Sequence, residues 1–143
     1  MPIDTGDTSW MLICTGLVML MTPALGFFEA GLIRSKNSLS VIMQTFSGLA
    51  ILSVLWFIIG FTLVYAPSFG GIIGKLDWAF FNEVPFKTSL GYAPTIPGVT
   101  FGTYQMMFAV ITPLLITGAF AERLKWSSFL IFIVAWSLLV YYP

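Results

Sequence analysis

The sequence predicts an all-α fold, a polytopic bundle of membrane-spanning helices. Apolar residues make up 58% of the 143 residues and charged residues only 8%, whereas an ordinary soluble domain is about 25% charged. Six acidic and six basic side chains are too few to cover the surface of a soluble core of this size. Long stretches of the chain carry no charge at all, and about 20 apolar residues are enough for one helix to cross a bilayer.

Charged residues divide the chain into four predicted transmembrane helices. The uncharged stretches run over residues 8–28, 37–74, 88–121 and 126–143. The second stretch ends in glycines and the third begins in a Gly/Pro-rich segment, so each supplies one span and part of a loop. The predicted helices cover about 9–33, 39–65, 101–121 and 126–142. An outer loop at about 66–100 is too long for a simple turn, so we expect it to pack as a small cap or to contain a short helix.

Basic residues predict how the chain is threaded through the membrane. Arg34 and Lys36 lie between the first and second predicted helices, and Arg123 and Lys125 lie between the third and fourth. Short loops rich in arginine and lysine face the cytoplasm. We therefore expect a multi-pass protein of the cell inner (plasma) membrane with its N-terminus outside.

Composition also argues against several classes of function. The formal net charge is zero and no basic run is present, so we expect no nucleic-acid partner. The chain has no histidine, which is the commonest zinc ligand and the usual general base near neutral pH. The single cysteine, Cys14, cannot form a disulfide within the chain. We therefore expect no enzyme, no metal site and no cofactor from these residues.

Two prolines, Pro23 and Pro113, lie inside predicted spans and interrupt their backbone hydrogen bonds. Broken helices often border transport sites, although packing within a bundle explains the prolines equally well. Glycines such as Gly26 and Gly48 would let helices approach closely.

Glu29 and Glu122 are the acidic residues nearest the predicted spans. Glu29 follows Trp10 by 19 residues, which is about 28 Å of helix and close to the full hydrocarbon thickness. Glu122 directly precedes Arg123 at the inner end of the third helix. A carboxylate inside a membrane is a functional candidate, but this depth favours pairing and snorkelling at the cytoplasmic interface for both.

Tyr104 and Phe108 are four residues apart and share one face of the third helix, near its outer end. Phe101 lies three residues before Tyr104 on a neighbouring row. Ring faces could hold a small cation for about 0.5–2 kcal/mol each. Aromatic residues at helical spacing in a membrane usually face lipid or pack in the core, and spacing alone favours that interpretation.

Three segments resemble the ammonium transporter family (Amt/Mep/Rh). They are MTPALGFFEAGLIRSKNSLS (residues 21–40), FGGIIGKLDW (69–78) and YQMMFAVITPLLITGAFAERLKWSSFLIF (104–132). The first resembles the end of the family's first helix and the turn after it. The second resembles its outer loop, and the third its third and fourth helices. The resemblance covers nearly the whole chain, and its motifs are long and specific.

This resemblance implies an eleven-helix fold in which ten helices form two inverted repeats around a pore. Residues 1–143 would be the start of that fold, an incomplete ammonium transporter domain. We expect a segment of a longer protein, with a degenerate relative as the alternative. The implied partners are ammonium or methylammonium, the lipid bilayer, and two further copies in a homotrimer of the full-length protein.

By resemblance, several residues take on roles in transport. Phe108 matches a phenylalanine of the pore gate, and Tyr104 matches an aromatic of the external recruitment site, where phenylalanine is familiar. The apolar pore lining is matched by Leu25, Phe28 and Leu115. Glu29 stands where a familiar family sequence has tyrosine.

The implied function is ammonium transport, with recruitment at the external aromatic site and passage through a hydrophobic pore. The alternative is an ammonium sensor in which such a domain is coupled to a cytoplasmic signalling domain. A structural membrane subunit is the third possibility, and it predicts that ammonium has no effect on the protein.

Overall fold

The computed structural model describes residues 2–143 and is mostly helical. Its principal helices are α1 (Thr5–Leu32), α2 (Ser35–Tyr65), α3 (Gly98–Phe120) and α4 (Trp126–Tyr141). The first three are long and apolar enough to cross a membrane, whereas α4 is apolar but shorter. The predicted all-α membrane helix bundle is therefore confirmed, with three full-length spans and a shorter fourth helix in the described part of the chain.

Three of these helices depart locally from regular α geometry. A π-helical turn, Trp56–Gly60, interrupts α2, and a second one, Ser137–Tyr141, ends α4. The α3 helix opens after Leu114 and resumes as the short segment Thr117–Phe120. This opening follows Pro113, whose ring and missing N–H interrupt the helical ladder.

The N-terminus of α1 is capped by Asp4, which extends the helix beyond its predicted start. The Oδ1 atom of Asp4 accepts a hydrogen bond from the backbone N–H of Asp7 at 2.9 Å, and this satisfies one free donor of the first turn. The backbone N–H of Asp4 donates to the carbonyl of Thr95 at 2.8 Å. The N-terminus and the long loop therefore lie at the same end of the bundle.

The long loop folds back onto the C-terminal end of α2. It contains the antiparallel strands β1 (Ser68–Phe69) and β2 (Ile73–Gly74), followed by a 3-10 segment (Leu76–Phe81) that is kinked at Trp78–Phe80. The Thr62 hydroxyl donates to the carbonyl of Lys75 at 2.6 Å and accepts from the backbone N–H of Trp78 at 3.1 Å. The loop thus packs against α2 as a cap and contains a short, kinked 3-10 segment.

The core has an aromatic part beneath this cap and an aliphatic part deeper in the bundle. In the aromatic part, the buried Trp56 donates from Nε1 to the carbonyl of Gly102 at 3.1 Å, which joins α2 to α3. Its ring packs against Phe61 with centroids 6.0 Å apart. The fully buried members of the second part are the aliphatic Leu52, Val110, Leu114 and Ile133, together with one aromatic residue, Phe129.

The α1 and α2 helices meet at Gly26. A Cβ atom at this position would lie 2.8 Å from Oγ1 of Thr45, which is too close for any side chain. Small residues in membrane helices allow this kind of close backbone approach. The interface between α1 and α2 brings the C-terminal half of α1 against the rest of the bundle.

Candidate functional site

Tyr104 and Phe108 form an aromatic pair on the N-terminal half of α3. Their rings meet edge to face, with centroids 5.2 Å apart and an interplanar angle of 73°. Both side chains are half-buried. The structure thus brings together the two residues that helical spacing placed on one face, and leaves part of each ring accessible.

Phe101 belongs to the packing of the cap. It is buried, and its ring lies 5.0 Å from that of Tyr65 and 6.3 Å from that of Tyr92. The Tyr92 hydroxyl in turn donates to the carbonyl of Tyr65 at 3.2 Å. Phe101 therefore packs the first turn of α3 against Tyr65 and Tyr92, whereas Tyr104 and Phe108 lie one and two turns further along the helix.

The three residues matched to the pore lining lie on α1 and α3. Phe28 is 65% exposed and Leu115 is 58% exposed. Leu25 is half-buried and packs against the aliphatic part of the core. Leu115 lies in the opening of α3, between Leu114 and Thr117. Phe28 and Leu115 are exposed enough to line a channel, and the pore role of all three residues stays a prediction.

Glu29 lies in a different environment from the one expected. Its side chain is only 8% exposed, and the carboxyl oxygen Oε2 is hydrogen-bonded to the Thr117 hydroxyl. A Cβ atom added at Gly118 would lie 3.6 Å from Oε1. The expectation of a snorkelling interfacial carboxylate is therefore wrong for Glu29, because the opening of α3 places Thr117 against it. Sequence reasoning missed Thr117, although a threonine four residues after Pro113 was an available signal.

Glu122 is exposed, as its interfacial position predicts, but it contacts α2 rather than a basic side chain. Its Oε1 atom accepts from the side-chain amide of Asn37 at 2.9 Å and from the backbone N–H of Arg34 at 3.2 Å. A carboxylate at a helix N-terminus satisfies free N–H groups and complements the helix dipole. This contact holds the loop after α3 beside the turn before α2. The four basic residues of the two short loops therefore lie at one end of the bundle.

The same contact predicts a pH dependence of stability. The hydrogen bond from the Asn37 side chain and then that from the Arg34 backbone lower the pKa of Glu122. Because the pKa is lower in the folded state, the stabilisation is complete above the ordinary carboxyl range and is lost as the pH falls through the folded-state value. We expect Glu122→Gln to reduce the melting temperature slightly at pH 7. The difference should vanish in acid, and a difference that persists there would contradict the linkage.

Comparison with known proteins identifies the family to which the chain belongs. A family model described as Ammonium Transporter Family matches residues 9–143. The chain belongs to the ammonium transporter family. Family membership and the apolar helices together make it part of a multi-pass membrane protein.

Relatives within the ammonium transporter family show how much of their length the chain covers. It is 51% identical over 140 residues to "Ammonium transporter 1" of Dictyostelium discoideum, covering 98% of this chain and 30% of the relative. The crystal structure of Candida albicans Mep2 matches with a TM-score of 0.87 and 30% identity, over 99% of this chain and 31% of that one. A solved "Sensor Amt Protein" matches with a TM-score of 0.81 and 26% identity, over 94% of this chain and 32% of that one. The chain therefore spans about a third of the length of these proteins.

Proposed function

We propose that the protein carries ammonium across the membrane and that Tyr104 and Phe108 take part in recruiting it. The observation that carries this proposal is the half-buried, edge-to-face aromatic pair in a chain of the ammonium transporter family. Each ring face offers a small cation about 0.5–2 kcal/mol. Such weak attraction concentrates the ion at the entrance without trapping it.

Beyond this entrance, the proposed path is apolar. Leu25, Phe28 and Leu115 offer no hydrogen-bond partner to a charged species. Moving an ion from water into an apolar environment without compensation is very costly, whereas a neutral molecule is penalised far less. An apolar lining therefore favours neutral ammonia over the ammonium ion at this depth.

The proposed orientation places the N-terminus outside the cell inner (plasma) membrane. Two features support it, and they lie at opposite ends of the bundle. The hydrogen bond from Asp4 to Thr95 ties the N-terminus to the long loop. The contact of Glu122 with Arg34 and Asn37 gathers the short basic loops, which the positive-inside rule makes cytoplasmic. We further propose a homotrimer of the full-length protein.

A sensor is the second candidate, favoured by the likeness to a solved sensor Amt protein. In a sensor, ammonium binding would shift a conformation that is read out in the cytoplasm. A structural subunit would neither bind nor conduct ammonium.

The test measures uptake and binding of methylammonium. The sample is the full-length natural protein, purified and reconstituted in liposomes. Transport predicts uptake that follows the methylammonium gradient and exceeds that of empty liposomes. Binding without uptake would replace transport with the sensor. The absence of both would leave the structural subunit.

A further inference from the structure

A small polar cavity lies between the first three turns of α2 and the turn that follows α3. Its volume is about 160 Å³, and one water takes up about 30 Å³ of the liquid, so a small ion and a few waters fit inside. The α2 residues that line it are three, four and seven positions after the first of them, which places them on one face of the helix. The lining consists of four polar side chains and two apolar ones: Asn37, Ser40, Gln44, Glu122, Val41 and Leu124.

Gln44 is the most deeply buried polar residue of this cavity. Its side chain is only 7% exposed, and its amide makes no hydrogen bond with another group among residues 2–143. In that part of the chain, the Tyr142 hydroxyl is the only fully enclosed side-chain polar atom without a partner. The Gln44 amide therefore keeps access to the cavity. A buried amide that lacks a partner destabilises the fold, so an occupant of the cavity is needed to satisfy it.

Glu122 brings the one negative charge to the cavity wall. Its Oε1 atom already accepts from Asn37 and from the Arg34 backbone, whereas Oε2 accepts from no group in the described residues. These two hydrogen bonds lower the pKa of Glu122, so its carboxylate is ionised at neutral pH. The Glu122 backbone is left-handed, with φ at +67°. This conformation is uncommon for a residue other than glycine and persists where the surrounding structure fixes it.

Two further oxygens of the lining are free to accept. The Asn37 side chain donates to Glu122 through its nitrogen, which leaves Oδ1 without a partner in residues 2–143. The Ser40 hydroxyl likewise has no partner there, whereas Thr45 on the same helix donates back to the carbonyl of Val41 at 3.0 Å. Together with Gln44 Oε1 and Glu122 Oε2, the lining thus offers four oxygens that can accept a hydrogen bond.

The chemistry of these four oxygens selects the occupant. An ionised carboxylate can only accept hydrogen bonds, so the occupant must donate, and a positive charge strengthens the bond it makes. An ammonium ion has four N–H groups and one positive charge. The nearby Arg34 and Lys36 side chains are exposed, and dissolved salt screens their repulsion of a cation.

We propose that this polar cavity is a second binding site for ammonium, formed by Glu122, Gln44, Ser40 and Asn37. It lies at the opposite end of α3 from the aromatic pair, because Glu122 follows the last residue of that helix. Ammonium as the natural occupant rests on the proposed function. The binding of a cation that donates N–H hydrogen bonds does not, since it follows from the lining.

The test is a titration of melting temperature in detergent, with the full-length protein carrying Phe108→Ala so that the proposed aromatic site contributes little. A ligand that binds only the folded state raises the melting temperature by mass action. We expect ammonium chloride to raise it above the value in tetramethylammonium chloride at the same concentration, because tetramethylammonium has no N–H group. Potassium chloride should give a smaller shift than ammonium chloride. Equal melting temperatures in ammonium and tetramethylammonium would overturn the site, and equal shifts with potassium would overturn its preference for an N–H donor.

Variants of α2 locate the binding. Gln44→Leu should raise the apparent dissociation constant for ammonium at least about tenfold, as expected for one lost hydrogen bond to a charged group. Ser40→Ala should raise it in the same direction, and it decides alone if Gln44→Leu does not fold, because Ser40 is exposed. Ser53→Ala is the matched control on the same helix, since the Ser53 hydroxyl already donates to the carbonyl of Leu49 at 2.7 Å. It should leave the dissociation constant unchanged.

An unchanged dissociation constant in the folded Gln44→Leu and Ser40→Ala proteins would overturn the assignment to this cavity. The measurement needs no flux across a membrane. A protein that binds ammonium here without taking up methylammonium would therefore refute the proposed transport and keep this site. A protein that transports without binding here would refute this site alone.

Discussion

Replacing Phe108 with alanine is expected to lower methylammonium uptake at least about tenfold, which corresponds to about 1.4 kcal/mol. The substitution removes one ring of the edge-to-face pair with Tyr104 and with it one of the two faces proposed to attract the cation. A loss of this size lies within the range for a desolvated cation–π contact. The measurement is initial uptake rate in liposomes that contain equal amounts of wild-type or variant protein.

The control for Phe108 is Phe86→Ala, since Phe86 is 75% exposed in the outer loop and lies outside the proposed site. It should leave uptake unchanged. Both variants should elute at the same size as the wild type, because Phe108 is only half-buried and its loss leaves the fully buried core in place. Wild-type uptake and binding in a well-assembled Phe108→Ala protein would refute the assignment of Phe108 to the entrance.

Gly74→Ala is expected to be the more damaging change for the fold. A Cβ atom at Gly74 would overlap the carbonyl oxygen of Thr62 and lie 2.9 Å from that of Leu63. These are backbone atoms of α2 that cannot rotate away, so the loop must move off the helix. That movement breaks the hydrogen bonds of the Thr62 hydroxyl with Lys75 and Trp78. Overpacking of this kind typically costs about 1–3 kcal/mol.

Thermal unfolding in detergent, monitored by the loss of monodisperse protein, measures this effect. Gly91→Ala is the matched control, because a Cβ atom at Gly91 would meet nothing within 4 Å. Substitutions at such open sites usually change stability by no more than about 0.5 kcal/mol. Equal melting temperatures for the two variants would show that the cap does not need its close approach to α2.

Composition and local pattern were enough to predict the class of fold. A membrane helix needs only a long apolar stretch, and such a stretch can be recognised from consecutive residues alone. Asp4 is a side chain of the type that caps helices, and its cap at Asp7 depends on residues three apart. The Tyr104–Phe108 pair is equally local, because residues four apart on a helix are neighbours whatever surrounds them.

The environment of Glu29 could not be obtained in this way. Its depth along α1 follows from counting residues, but its burial depends on Thr117, which is 88 positions away in the chain. The opening of α3 after Leu114 brings the two together. Nor does the pattern around Glu122 indicate that its partners are Asn37 and Arg34, 85 and 88 positions away.

The sequence by itself determined that this protein is a membrane helix bundle and which aromatic residues share a face. Each of these properties depends on the composition or spacing of residues near one another in the chain. Only the tertiary structure decided that Glu29 is buried against Thr117, that Glu122 caps α2, and that the outer loop is anchored by Thr62. Burial and hydrogen-bond partners between distant segments arise when helices pack, and no local pattern specifies them.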